Sequence, residues 1–370
     1  MLLNLEKELQ KLCKQHDPPL NLHERLDRVR ISAQRIWEEQ RLTWFTDHRA
    51  QTHSKYIIRH LGNALENLNG TNQMLNAHEL YVLLAACYLH DIGMQDYVSR
   101  DGTSVENFSS DDYDHIRKDH PRRAKELIFR RSLTYQRDDF RIDLDDEPQY
   151  LKLVALVSQG HGTSYFKESV AELDGLNYRP GNAPFRGSLL AALLLMGDEL
   201  DLHEDRAHFK QEYSYSPTSL LHHYIHSYVT GVEIVNGLTP KRRRIHIFME
   251  FPEDATNYQN DICDLIRNKL LTQCKLTNGI IEKQTEGELI WDAQIDIEVS
   301  TDRHSLRRSI NKDERASEVL AVLRKELLPF RTNSFQRLGE LNSQPIYLMK
   351  EQSGDVVYPD RVAILGREFI

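Results

Sequence analysis

ELYVLLAACYLHDIGMQ, residues Glu79 to Gln95, runs an apolar helix directly into an adjacent histidine and aspartate, His90-Asp91. Leu80, Leu83, Leu84 and Cys87 recur at intervals of three and four, so one helix face is apolar, and Ala85 and Ala86 let a second helix approach closely. The spacing predicts a buried core helix. Ile92-Gly93 follows the pair, and a glycine there can end the helix and leave imidazole and carboxylate facing a cavity. Those two donors suit a divalent metal bound without redox chemistry. Read alone, the dipeptide has a plainer use, with His90 and Asp91 capping consecutive turns. Only further ligands of the same kind separate the two readings.

Working outward, such residues stand at the ends of neighbouring predicted helices. FTDHRAQTHSKYIIRHLGNALENL (residues 45–68) places Asp47, His48 and His53 at the start of a helix with the apolar face Tyr56, Ile57, Leu61 and Leu65. Thr52 or Ser54 is its expected cap, and His53, on the first turn, can point out of the helix end. A polar stretch from Ser99 to Asp114 reads as a solvated connection or a lid. DHIRKDHPRRAKELIFRRSL (114–133) puts His120 just before Pro121, at a predicted helix start, with Ala124, Leu127 and Ile128 as the buried stripe. The basic run Lys118, Arg122, Arg123 and Lys125 is either a solvated face or, beside a metal, a holder of phosphate oxygens. Tyr150 to Ser158 predicts another apolar helix, ending in Gln159-Gly160-His161-Gly162-Thr163, where flanking glycines open His161 to close backbone approach. RGSLLAALLLMGDELDL (186–202) is apolar nearly all round yet carries Asp198. A carboxylate in such a helix needs a cation.

Two other histidine groups lack ligand spacing. In HEDRAH (203–208) the second histidine of an H-E-x-x-H motif falls on Ala207, and His222, His223 and His226 have no carboxylate at ligand spacing, which reads as surface or packing. Residues 1–50 predict two helices broken at Asp17-Pro18-Pro19-Leu20, the second carrying Leu26, Val29, Ile31 and Ile36, as a lid or dimer contact. After Val232 the period changes: Arg244 to Phe251 and Ile290 to Val299 alternate like strands around a helix from Tyr258 to Cys274. Lys241 to Arg244, KRRR, reads as a solvated charge run. Asp313 to Leu328 predicts an amphipathic helix, with two short strands expected around Gln352–Gly354. The fold class is therefore mainly α with a small α+β C-terminal appendage, divided as 1–44, 45–231, 232–305 and 306–370.

Composition narrows the partners. The chain has 370 residues, with 47 Lys and Arg against 56 Asp and Glu, a net charge of −9, which argues against a general nucleic-acid or membrane-surface binder and mildly for small anionic substrates held by local cations. Cys13, Cys87, Cys263 and Cys274 show no C-x-x-C spacing and read as reduced thiols. The most apolar run, Leu189 to Met196, is far shorter than the ~20 residues a membrane span needs. With no signal-like segment at the amino terminus, the expectation is a soluble, cytoplasmic protein, homo-oligomeric or not.

Taken in order, His53, His90-Asp91, His120, His161 and Asp198 spell H…HD…HP…H…D. This resembles the HD superfamily of metal-dependent phosphohydrolases over about residues 45 to 205, LHDIG being the most specific piece and LLLMGDELD similar to the family's last ligand helix. The resemblance implies an HD-domain helical bundle in which His53, His90, Asp91 and Asp198 hold one divalent metal. His120-Pro121 and His161 resemble the additional histidines of the bimetallic branch, which includes cyclic-dinucleotide phosphodiesterases, and imply a second ion held by Asp91, His120 and His161 with Asp91 bridging. Manganese or iron are expected first, and magnesium, cobalt, nickel or zinc are compatible with the same donors. The implied activity is hydrolysis of a phosphoester or phosphoanhydride of a nucleotide-type substrate by a metal-generated hydroxide. Beside Asp91, the implied catalytic residues are Lys118, Arg122 or Arg123 on the nonbridging oxygens and His115 as proton donor to the leaving oxygen.

Three departures mark this chain. Met94 stands where the cyclic-dinucleotide enzymes often have lysine, no GYP element follows His161, and no PFGH-like segment follows the His-Asp pair as in many deoxynucleotide triphosphohydrolases. What remains is similar to HD domains of bacterial conflict and defence systems. Two alternatives stay open: a metal-dependent nuclease on single-stranded nucleic acid, with a channel through Arg122, Arg123 and Lys241 to Arg244, and a non-catalytic nucleotide sensor or scaffold.

Overall fold

Apolar residues at helical spacing build eleven helices among the described residues: α1 (Asn4–Gln15), α2 (Leu22–Trp37), α3 (Lys55–Leu65), α4 (Ala77–Leu89), α5 (Ser110–Arg130), α6 (Pro148–Gln159), α7 (Phe166–Asp174), α8 (Gly187–Glu199), α9 (Pro217–Tyr228), α10 (Gln259–Gln284) and α11 (Ala316–Ser343). Strands β1 (Val229–Asn236), β2 (Arg242–Phe251) and β3 (Ile290–Thr301) complete the regular structure. The computed structural model describes residues 3–16, 18–38, 44–66, 75–95, 109–130, 142, 148–176, 180, 184–210, 215–304 and 306–343. Most of the polar stretch from Ser99, and the strands expected around Gln352–Gly354, lie outside these residues.

The helix predicted from Glu79 is α4, and it is buried on every side, not on one face. Helices α1, α2, α6 and α8 all pack against it, so its polar-looking positions are enclosed by neighbours. Its start is well defined. The Asn76 side chain accepts the backbone N–H groups of His78 and Glu79 at 3.0 Å each, and Glu79 returns a bond to the Asn76 N–H at 3.1 Å. Fully buried Glu79 is matched by Arg186, whose Nε and Nη2 donate to its two oxygens at 2.8 and 2.7 Å. Asn76→Ala is expected to lower stability by about 1 kcal/mol, read from a shifted denaturation midpoint with an unchanged slope.

The two N-terminal helices, expected as a lid or dimer contact, are part of the core. Leu22, Leu26, Val29, Ala33 and Ile36 are buried on α2, whereas Ile31 is half exposed. The inward stripe therefore runs 26, 29, 33, 36, and the small Ala33 occupies the place the spacing had assigned to Ile31.

Helix α5 begins at Ser110, ten residues before the expected start at His120, so Pro121 lies inside it. Proline has no N–H to give the carbonyl four residues back, which is that of Arg117. The His120 ring fills the gap, its Nδ1–H donating to Arg117 O at 2.6 Å. The C-terminal part is α+β as expected, with strand order β1-β2-β3, β1 antiparallel and β3 parallel to β2. Ile245, Ile247, Met249 and Phe251 alternate inward along β2. Helix α10 packs against β3, α11 and the length of α8, with Gln284 at Ser188 and Gln273 at Glu199, next to Asp198. No helix of the described residues is long and apolar enough to cross a membrane, and the four cysteines are free and buried.

Candidate metal centre

Each residue singled out by the H…HD…HP…H…D pattern sits at a helix end or a break in a helix. His53 lies in a wide π-type turn, Ala50–Ser54, that runs into α3, and no side-chain cap from Ser54 or Thr52 closes that helix. His90 and Asp91 follow α4, His161 follows α6, Asp198 is in the last turn of α8, and His120 stands at the proline break of α5. Helix ends leave carbonyls without intrahelical donors. The rings use such groups: His90 Nδ1–H donates to Cys87 O at 3.1 Å and His161 Nδ1–H to Ser158 O, as His120 does to Arg117 O. His53 Nδ1–H donates instead to Asp201 Oδ2 at 2.5 Å.

A carbonyl or carboxylate oxygen only accepts, so in each neutral ring the proton is on Nδ1 and the lone pair is on Nε2. All four lone pairs converge on Asp91. Its Oδ2 lies 2.9 Å from His53 Nε2 and 3.2 Å from His90 Nε2, and its Oδ1 lies 3.1 Å from His120 Nε2 and 3.4 Å from His161 Nε2. Asp198 Oδ1 joins the first group, 3.2 Å from His53 Nε2 and 3.6 Å from His90 Nε2. The structure thus assembles two groups, His53, His90, Asp91 and Asp198, and Asp91, His120 and His161, each with ligand atoms within 4.8 Å of one another. Within them His53 and His90 face Nε2 to Nε2 at 3.0 Å, and His120 and His161 at 2.7 Å. Acceptors that close need a positive charge between them. Nitrogen and carboxylate donors preset in this way fit divalent cations.

The electrostatics agree. Burial, reinforced by Arg206, opposes charging His53, yet the carboxylates of Asp198, Asp201 and Asp91 outweigh both and lift its pKa to about 10. His90 is likewise pushed down by burial and lifted by Asp91 and Asp198, to about 9. Burial raises Asp91 and Asp198 as well, but the surrounding imidazoles hold both carboxyls well below the usual range. The field that would draw protons onto these rings would also favour a bound cation.

Two glycines allow the groups to meet. A Cβ on Gly93 would lie 2.2 Å from His120 O and 2.7 Å from Ala124 N, so the turn after Asp91 rests directly on the backbone of α5. A Cβ on Gly162 would lie 2.4 Å from Pro121 Cγ, which lets the segment after His161 close on the same proline.

A cavity of about 450 Å³ opens beside the cluster, lined by His48, Asp91, His120 and Asp198. Its other walls come from α9, α10 and α11, through Ser219, His222, Ile225, His226, Leu265, Lys269, Gln273 and Phe330. The C-terminal helices therefore wall the cavity beside the His and Asp cluster. His222 and His226, read as surface or packing residues, face this cavity; His223 does pack, its Nε2 at 3.1 Å from Trp44 O. His48, noted beside His53 in the sequence but given no role there, has its Nε2 3.8 Å from Asp91 Oδ2, and Arg206, which the sequence did not single out, donates to Asp47 O and Asp201 O at 2.9 Å each and so fixes the acceptor of His53. The DELD context contained the signal for Asp201, three residues after Asp198.

The expected catalytic residues of α5 sit elsewhere. His115, Lys118 and Arg122 are not among the residues lining the cavity, and Arg122 is paired with Asp119 and Glu126. At about 100° per residue, Lys118 and Arg122 lie about 160° round the helix from His120, and His115 about 140°. Arg117, about 60° from His120, lines the cavity instead.

Loading Mn²⁺ to a hundredfold excess over its Kd is expected to stabilise the protein by about 2.7 kcal/mol, raising Tm by roughly 3 °C. A chelator should reverse the shift; a Tm indifferent to both would speak against a metal centre.

A family model described as HD-CE matches residues 42–265, which run from before the His53 turn, through β1 and β2, into α10. No curated protein and no solved structure matches the chain. The family match spans more than half of the 370 residues and contains both ligand groups, and the chain belongs to the HD-CE family.

Proposed function

We propose that this protein is a divalent-metal-dependent phosphohydrolase that cleaves a phosphoester or phosphoanhydride bond of a nucleotide-type small molecule. One observation carries the reading: the two oxygens of Asp91 face two separate sets of imidazole lone pairs, with Asp91 common to both. Divalent ions held there, manganese or iron first, supply Lewis acidity and a water acidified toward a pKa of ~7. The chain's own residues do the rest. Asp91 and Asp198 bring the negative charge that retains the ions, while backbone carbonyls hold His90, His120 and His161, and the Asp201 carboxylate holds His53, with Nε2 forward. His48, neutral because burial holds it well below its usual range, adds a proton acceptor at the edge of the cavity.

The disposition of the cations favours a small molecule over a strand. Arg122 is paired with acids, Lys241 with Glu288 at 2.6 Å, Arg243 with the carbonyls of Ala64 and Glu66 at 2.8 and 2.7 Å, and Arg244 lies near Asp292 and Asp296. A channel for nucleic acid through these residues would have to break those contacts first. A cavity of about 450 Å³ is, by contrast, in the range of pockets for one small ligand. The test is product analysis after incubating manganese-loaded protein with ribo- and deoxynucleotides, cyclic dinucleotides and short single strands. Consumption of one nucleotide class is expected; an untouched panel overturns the hydrolase and leaves a ligand sensor.

A further inference from the structure

Among the described residues three cations line the cavity, and two are already occupied. Arg206 serves Asp47 and Asp201, and Lys269 Nζ lies 2.7 Å from Glu326 Oε2. The Arg117 side chain has no hydrogen bond or ion pair among the described residues, although Glu326, Asp114 and Glu199 attract it through space. A guanidinium partly drawn out of bulk water without an acceptor among the described residues is unfavourable, and an anionic ligand in the cavity would supply one. Arg117 also shares the side of α5 that carries His120, and it and Lys269 both act on His222 of α9. Arg117, the Lys269–Glu326 ion pair and the Asp91 cluster thus share one cavity.

Building on the hydrolase reading of the same site, we propose that Arg117 forms a second anion subsite that holds a phosphate group other than the one meeting the Asp91 cluster. The substrate is then one with at least two phosphates in series, a di- or triphosphate, and not a monoester. The C-terminal unit walls this space, because Leu265 and Gln273 of α10 and Phe330 of α11 line it. Arginine suits the task, since its planar fork pairs with two phosphate oxygens at once.

The test uses the full-length, manganese-loaded protein and methylenediphosphonate, whose P–C–P bridge resists hydrolysis, with inorganic phosphate as the single-phosphate probe. Calorimetry is expected to show Arg117→Gln binding methylenediphosphonate at least tenfold more weakly than wild type, with inorganic phosphate affinity and manganese content unchanged. Arg117→Lys should keep more of the affinity than Arg117→Gln, and the paired residue in Arg122→Gln should change nothing. The ligand-free Tm of Arg117→Gln should equal or exceed that of wild type, because a partly buried cation with no acceptor among the described residues has been removed. A lower Tm with loss of manganese would make Arg117 structural, and equal diphosphonate binding by wild type and Arg117→Gln would remove the subsite. Turnover separates the two ideas. Hydrolysis with an unchanged KM in Arg117→Gln keeps the hydrolase and removes the subsite; Arg117-dependent diphosphonate binding without any turnover by wild type keeps the subsite and removes the hydrolase.

Discussion

Asp91→Asn is expected to strip metal from both ligand groups and to lower hydrolysis by on the order of 10³-fold, about 4 kcal/mol in the barrier. The amide keeps the size and shape of the side chain but not its charge, and an amide nitrogen cannot take the place of one carboxylate oxygen. Because Oδ2 faces His53 and His90 while Oδ1 faces His120 and His161, one substitution touches both groups. His161→Ala touches only the second, since the Nε2 of His161 faces Asp91 Oδ1 and His120. Metal analysis per chain should therefore fall from two to near zero in Asp91→Asn and from two to one in His161→Ala, with unchanged far-ultraviolet circular dichroism in both. Retention of two ions by Asp91→Asn would falsify the bridge, and wild-type turnover would end its catalytic role.

Gly93→Ala is the second large effect, and it acts through packing alone. The added methyl would stand 2.2 Å from His120 O and 2.7 Å from Ala124 N, and backbone atoms of a helix cannot rotate aside as the tip of a side chain can. Relief requires α5 and the turn after Asp91 to separate. The expected loss is about 3 kcal/mol, near the upper end for one methyl forced into a packed interior, or roughly 4 °C in Tm. Because α5 carries His120, the same shift should weaken the second metal group while His53, His90 and Asp198 keep the first. Gly279 on α10 is the control: a methyl added there would meet no atom within 4 Å, so Gly279→Ala should be neutral or stabilising. Equal denaturation midpoints for the two alanine variants would contradict the close approach at Gly93.

The five-part histidine and aspartate pattern was legible in the sequence because its geometry is local. His90, His120 and His161 each donate Nδ1–H to the carbonyl three residues earlier, so helix ends and one proline orient the rings whatever the distant packing. The mainly helical class, the α+β C-terminal part and the burial of the Glu79 helix were likewise written in apolar periods. The residues that complete the site were not. Choosing Arg117 over Lys118 and Arg122 requires the phase of α5, which is set by its start at Ser110 and not at His120. His222 and Lys269 come from α9 and α10, which reach the cavity only through tertiary packing, and no local signal marks them or Arg206 as lining it. By itself the sequence determined which side chains present imidazole and carboxylate at helix ends, because neighbouring backbone settles that. Only the tertiary structure decided what shape and charge surround them, because the walls of the cavity are contacts between parts of the chain far apart in order.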